Sequence, residues 1–303
     1  MAFNWPTFRT RAITAVVFVA VMLTGLLGNA WAFFGLFTII HFGCWIEYQK
    51  LITAIDPGYA DITPFHRYGV MLAGWCIMLF ASGDMLPLGS INLSSIGFWA
   101  GIIFLFVLPI TEVLFARKMN LKNIGHSLFG LIYISLSWAA FVHIRSGQPW
   151  MSDAGDENLI NEFNNALGKI TGYVMPLVVI ASIWINDTMA YIVGSLIGKT
   201  PLSPISPKKT WEGTIGGIIL SVVAVTLVGV YWMNGEAWHF IAISLISAVA
   251  GTFGDLFESK LKRMAGVKDS GQIMPGHGGF LDRFDSLLVA IPFIWIFCIL
   301  FMR

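Results

Sequence analysis

The chain has 303 residues, of which 56% are apolar and only 12% charged, and its mean hydropathy is +0.75. That leaves too little polar surface to cover a soluble globule, so one or two water-soluble domains are excluded. The net charge of +1 supplies no global field for nucleic acid, and none is expected as a partner.

A bilayer core takes about 20 apolar residues per helix. In chain order, apolar stretches at residues 12–28, 30–48, 69–88, 93–115, 124–144, 171–197, 213–233, 238–257 and 284–302 give nine candidate spans. The expected fold is an all-α polytopic membrane protein with about nine transmembrane helices. Arg9 and Arg11 before an apolar run that ends near Ala30, Trp31 and Ala32 resemble a signal peptide with a small-residue cleavage site. The apolar pattern resumes at Phe33 and runs to Ile46, so two retained spans divided at Gly28 and Asn29 are expected instead. Residues 1–170 then form an N-terminal region of five spans and an outer loop, and residues 171–303 a C-terminal region of four spans.

Basic residues set the orientation. With the N-terminus inside, the inner segments hold Arg9, Arg11, Lys50, Arg67, Arg117, Lys118, Lys122, Lys199, Lys208, Lys209, Lys260, Lys262, Arg263, Lys268 and Arg283. Only Arg145, Lys169 and Arg303 remain outside, which accounts for all 18 Lys and Arg. This asymmetry predicts a cytosolic N-terminus and a C-terminus outside. The acidic outer loop at 145–170, with Asp153, Asp156, Glu157 and Glu162, reads as a solvated connection. Cys44, Cys76 and Cys298 sit in apolar stretches without CxxC or metal spacing and read as apolar fillers. His41, His126 and His143 lie in or beside spans and read as hydrogen-bonded packing residues. Glu112, near the inner end of the fourth span, reads as an interface residue.

Two inner loops differ from the rest. Residues 198–213 carry Pro201, Pro204 and Pro207, which fix φ and stiffen the backbone, followed by Lys208 and Lys209 flanked by the hydroxyls of Ser206 and Thr210. Residues 254–285 interleave six cationic or imidazole groups with five carboxylates. Such mixing suits a polyanion bound through a metal: carboxylates hold a hard cation while lysines and arginines neutralise the remaining phosphate charge. Asp282 and Asp285 share a face if helical. Asp255 stands at the inner end of the eighth span, where a carboxylate is costly unless paired or metal-bound. Gly276, Gly278 and Gly279 would let backbone N–H groups approach a phosphate just before the ninth helix. Asp187, inside the sixth span with Tyr191, Gly194 and Gly198 at helical spacing, is a further candidate.

The run Ser259-Lys-Leu-Lys-Arg263, Lys268-Asp269 and His277-Gly-Gly-Phe-Leu-Asp-Arg-Phe-Asp285 resembles the signature of phosphatidate cytidylyltransferases, also called CDP-diacylglycerol synthases. Asp187, Tyr191, Gly194, Lys199, then Ser206-Pro-Lys-Lys-Thr210 with Glu212 and Gly213, is similar to that family's second shared stretch. The likeness is strong from about residue 180 onward; the N-terminal half matches only in hydropathy and span number. Met274 departs from the family's usual Leu, Ile or Phe by a swap of similar volume.

The resemblance implies that CTP and phosphatidate give CDP-diacylglycerol and pyrophosphate with Mg²⁺, and leaves room for a second, monovalent, cation. It also implies a homodimer among membrane lipids, in a bacterial inner membrane with the site facing the cytosol. On this expectation Asp255 and Asp282 hold metal, with Asp285 nearby. Lys208, Lys209, Lys262, Arg263, Lys268, His277 and Arg283 serve the phosphates, while Asp187, Ser206, Ser259, Asp269, Gly278 and Gly279 line the substrates. A secondary transporter, a CDP-alcohol phosphotransferase and a non-catalytic scaffold are the rivals. The first lacks charges on both halves of a repeat, and the second lacks its Asp-x-x-Asp-Gly-x-x-Ala-Arg pattern. A scaffold leaves the dense polar loop unexplained.

Overall fold

The computed structural model describes residues 5–116, 120–147, 174–233, 235–272 and 278–302. Nine long helices occur among the described residues: α1 (Trp5–Leu27), α2 (Ala30–Ile55), α3 (Pro64–Ala81), α4 (Leu93–Phe115), α5 (Leu121–Ser146), α6 (Val174–Ile197), α7 (Trp211–Tyr231), α8 (Ala237–Met264) and α9 (Leu281–Phe301). Seven are long and apolar enough to cross a membrane; Ile13–Leu27 is a shorter apolar stretch and α3 is not among the seven. The chain is an all-α polytopic membrane protein. A departure from all-α character is the small antiparallel hairpin of β1 (Pro201–Ser203) and β2 (Ser206–Thr210), with Pro201 opposite Thr210 and Ser203 opposite Ser206. The outer loop's acidic residues, Arg117, Lys118, Lys169, Met274, Gly276, His277 and Arg303 lie outside the described residues.

Helix limits follow local chemistry. Asn29 caps α2, its side chain accepting from Ala32 N–H at 2.8 Å, which ends the continuous apolar run at Gly28. Thr63 caps α3 through His66 N–H, with Pro64 as the first helical residue, so α3 starts earlier than hydropathy alone suggests. Helix α8 runs on to Met264 because Lys260, Lys262 and Arg263 are good helix formers that a hydropathy reading discards.

The chain divides into two units that interleave along the sequence. One comprises Met1–Ala139 with Leu261–Phe284, the other Ala140–Lys260 with Asp285–Arg303. In the first, the core is aromatic. Phe37 and Trp138 lie 5.0 Å apart between ring centroids, and Trp138 meets Phe284 edge-on at 5.4 Å, pinning the first turns of α9. Such pairs contribute about 0.5–1.5 kcal/mol each, which matters where lipid replaces water and apolar burial drives little. Within this unit α5 opens into a π-helical segment, Leu131–Leu136, whose Ser135 hydroxyl contacts His41 Nε2 at 3.0 Å and accepts from Trp45 Nε1 at 2.9 Å.

In the second unit α6 packs on α7 through small residues. A Cβ at Gly217 would meet Ala190 Cβ at 2.8 Å, and one at Gly213 would meet Gly194 Cα at 2.8 Å. Ser221 Oγ donates across to Ser182 O at 2.8 Å. Close backbones and a buried interhelical hydrogen bond are how helices associate in lipid.

Candidate active site

In the second unit, the hairpin delivers one lysine. Glu212 accepts the N–H groups of Lys199 and Thr200 at 3.2 Å, and Thr210 caps α7 through Gly213 N–H, so both ends of the 198–213 loop are tied. Successive residues on a strand point to opposite faces. Lys209 therefore turns inward and pairs with Asp255 of α8, while Lys208 is exposed. Ser259 Oγ donates to Asp255 Oδ1 at 3.3 Å, one turn further along α8. Gly254 lies against Ser286 Cα of α9, a contact that leaves no room for a side chain beside Asp255. Asp187 lies within the charge reach of both Lys209 and Asp255, and Asn186 donates to it at 3.4 Å. The structure thus brings Asp187, Lys209, Asp255 and Ser259 together. Ser206 is half-buried in the hairpin, and Asp285 is buried, accepting Ser286 N–H at 2.6 Å.

In the first unit, Lys262 Nζ donates to Asp282 Oδ1 at 2.6 Å, their side chains only 12% and 8% exposed. Asp282 Oδ2 accepts the backbone N–H groups of Ser270 and Gly279, each at 2.8 Å. Its place in the first turn of α9 is favourable, since a helix N-terminus carries partial positive charge. Gly278 has φ +82°, a left-handed conformation that L side chains rarely adopt, and a Cβ there would meet the Asp282 carboxylate. Arg263, Lys268, Asp269 and Arg283 are exposed.

This cluster contains a residue that the sequence reading does not single out. Glu47 of α2, 5% exposed, accepts from Phe280 N–H and Leu281 N–H at 2.9 Å and from Ser270 Oγ at 2.8 Å. It caps the start of α9. Of the glycines expected to let backbone N–H groups approach a phosphate, Gly279 gives its N–H to Asp282, and the next two N–H groups, of Phe280 and Leu281, go to Glu47. The signal that finds Glu47 is a carboxylate inside an apolar stretch, the same signal that marks Asp187. Its position beside Tyr48, Gln49 and Lys50, at the end of the second apolar stretch, makes it look interfacial.

Glu112 is likewise buried: it is 4% exposed and accepts from Thr63 Oγ1 at 2.7 Å and Thr63 N–H at 3.3 Å. His41, His126 and His143 are hydrogen-bonded, to Ser135, Asp56 and Trp295 respectively. The three cysteines are not joined in disulfides.

Among the described residues no three His, Cys, Asp or Glu side chains converge as a preformed metal centre. Chemically, the described clusters are lysine–carboxylate pairs whose carboxylates lie on helices long enough to cross a membrane, Lys262–Asp282 shielded from solvent and Lys209–Asp255 partly open to it. A polyanion can exchange with the carboxylate for the ammonium, and the released carboxylate can take a hard cation.

Comparison with known proteins agrees with this chemistry. The model of the cytidylyltransferase family matches residues 9–301. A phosphatidate cytidylyltransferase of Synechocystis sp. is 32% identical over 301 residues, covering 96% of this chain and 97% of its own. One from Staphylococcus haemolyticus is 36% identical over 231 residues, covering 74% and 88%. One from Staphylococcus aureus is 48% identical over 115 residues, covering 37% and 44%. The chain belongs to the cytidylyltransferase family.

Proposed function

We propose that this chain transfers the cytidylyl group of CTP to phosphatidate. A phosphate oxygen of the lipid forms a bond to the α-phosphorus of CTP while the bond to the bridging oxygen of the β-phosphate breaks, giving CDP-diacylglycerol and pyrophosphate. The observation that carries this reading is the two ion pairs, Lys209–Asp255 and the shielded Lys262–Asp282, whose carboxylates lie on membrane-length helices of a cytidylyltransferase-family chain. No base is needed to activate the nucleophile, because a phosphomonoester is already ionised near neutral pH. Both reactants are anionic, so the residues act by positioning and charge neutralisation.

Lys209 and Lys262 engage phosphates as they leave their carboxylates, and Asp187 orients Lys209. The exposed Lys208, Arg263, Lys268 and Arg283 gather the nucleotide and the departing pyrophosphate, with His277 as a further donor. Ser206, Ser259, Asp269, Gly278 and Gly279 shape the substrate loops. Asp255 and Asp282 are the carboxylates for Mg²⁺, with Asp285 in support. Each by itself fits a cation that takes one or two carboxylates and completes its shell with waters and substrate phosphates. Mg²⁺ would supply Lewis-acid neutralisation of the charge that develops on pyrophosphate, and a second, monovalent, cation is part of the same proposal.

Nine spans with the N-terminus cytosolic follow from the bias of basic residues. That orientation puts the basic loops and CTP on one side of a bacterial inner membrane, in a homodimer surrounded by its lipid substrate. The test is turnover of radiolabelled CTP in detergent micelles containing phosphatidate, with and without Mg²⁺. Metal-dependent appearance of CDP-lipid is expected. No product from folded, lipid-supplemented protein refutes the reading.

A further inference from the structure

Ser270 stands between two carboxylates. Its Oγ is 2.8 Å from Glu47 Oε2 and 2.9 Å from Asp282 Oδ2, yet a hydroxyl has one proton to give. Each carboxylate oxygen offers two lone pairs. Those of Asp282 Oδ2 are filled by the Ser270 and Gly279 N–H groups, whereas Glu47 Oε2 takes only Leu281 N–H besides. The proton therefore goes to Glu47, and Ser270 Oγ offers a lone pair to Asp282 N–H at 3.3 Å. On this assignment Asp282 Oδ1 keeps a lone pair beyond its bond to Lys262.

The surrounding loop is built around the Glu47 carboxylate. A Cβ at Gly271 or Gly279 would collide with it, so glycine on either side is what lets the carboxylate reach Ser270, Phe280 and Leu281 together. Gly43, one turn before Glu47 on α2, leaves the space that the Phe280 ring fills. Sequence separation of more than 220 residues between Glu47 and each partner makes this a long-range tie.

We infer that Glu47 is a positioning residue for the reaction: through Ser270 and the capped start of α9 it holds Asp282 in the orientation that leaves Oδ1 open to a cation. The inference rests on the proposed function, which takes Asp282 as a metal-binding carboxylate. Glu47 itself is held by three neutral donors of the chain and acts through them.

The test uses the full chain in detergent and compares wild type with E47Q, E47D, S270A and D282N. Three quantities are measured: the Mg²⁺ concentration for half-maximal CDP-lipid formation at saturating CTP, Mn²⁺ binding by electron paramagnetic resonance without substrates, and the melting temperature. Losing one hydrogen bond to a carboxylate predicts roughly a tenfold rise in the Mg²⁺ requirement of E47Q and S270A, with Mn²⁺ binding weakened to match. Turnover should recover as Mg²⁺ is raised, and E47D, which keeps the charge, should recover part of the loss.

A cap with only a structural role would lower melting temperature while leaving the Mg²⁺ requirement of the surviving enzyme unchanged, and that result overturns the inference. Should E47Q not fold, S270A decides, and a wild-type Mg²⁺ requirement there also overturns it. D282N separates the two readings. Wild-type Mn²⁺ binding by D282N defeats the metal assignment and the inference with it. Loss in D282N with wild-type binding in E47Q and S270A defeats the Glu47 inference alone.

Discussion

Glu47 and Glu112 are both buried carboxylates on membrane-length helices, and both accept hydrogen bonds at the start of another helix. Their surroundings diverge. Glu112 joins Thr63 and stands 3.5 Å from His66, whose Nε2 meets Ser127, which in turn meets Tyr59: a network of short polar side chains that ties α3, α4 and α5. Glu47 joins the connection between α8 and α9, which Lys262 and Asp282 flank and which holds three glycines kept open for carboxylates. A carboxylate within a span is thus not by itself a mark of chemistry. The groups that share its donors decide whether it builds a helix contact or serves a charged site.

The largest effect expected is at Asp282. Asp282→Asn should lower CDP-lipid formation by roughly a hundredfold or more while the protein still elutes as a folded species, as for removal of a charge-stabilising group from a reaction centre. Wild-type-like turnover would remove the functional half of the comparison. Next come the adjacent lysines. Lys209→Ala, which strips Asp255 of its partner, should cost roughly ten- to a hundredfold in kcat/KM for CTP. Lys208→Ala, on the opposite strand face, should cost only a few-fold. Equal losses would mean that strand alternation does not divide their roles.

Gly279→Ala adds only a methyl group, but one aimed at the Glu47 carboxylate. It should reduce turnover by about tenfold without altering any charge, since displacing this carboxylate leaves buried N–H donors unsatisfied. The smallest effect on catalysis belongs to Glu112→Gln, which should lower stability by about 1–3 kcal/mol in a reversible denaturation assay. Turnover per folded molecule should be unchanged, and a loss of turnover there would erase the distinction between the two carboxylates.

Much of the candidate site could be proposed from the sequence because its residues are close in the chain. Lys262, Asp269 and Asp282 fall within one polar stretch between apolar runs, and Ser206 to Thr210 follow a proline-stiffened loop. Each of the nine apolar stretches has a helix over most of its length, since apolar content is a local property. Helix ends were less legible. Helix α3 begins at Pro64 and stops at Ala81, because capping by Thr63 and the turn at Ser82 and Gly83 override the apolar run. The hairpin was not foreseen either, since prolines at every third position suggest stiffness without giving the pairing register.

By itself the sequence determined the membrane class, the helices and the concentration of lysines and carboxylates in two loops. Those features follow from hydropathy and residue type over a few turns. Only the tertiary structure decided which lysine meets which carboxylate, and that Glu47, 234 residues before Leu281, closes the start of α9. A buried carboxylate must find donors wherever packing brings them, and in a helical bundle those donors lie on helices far away in sequence.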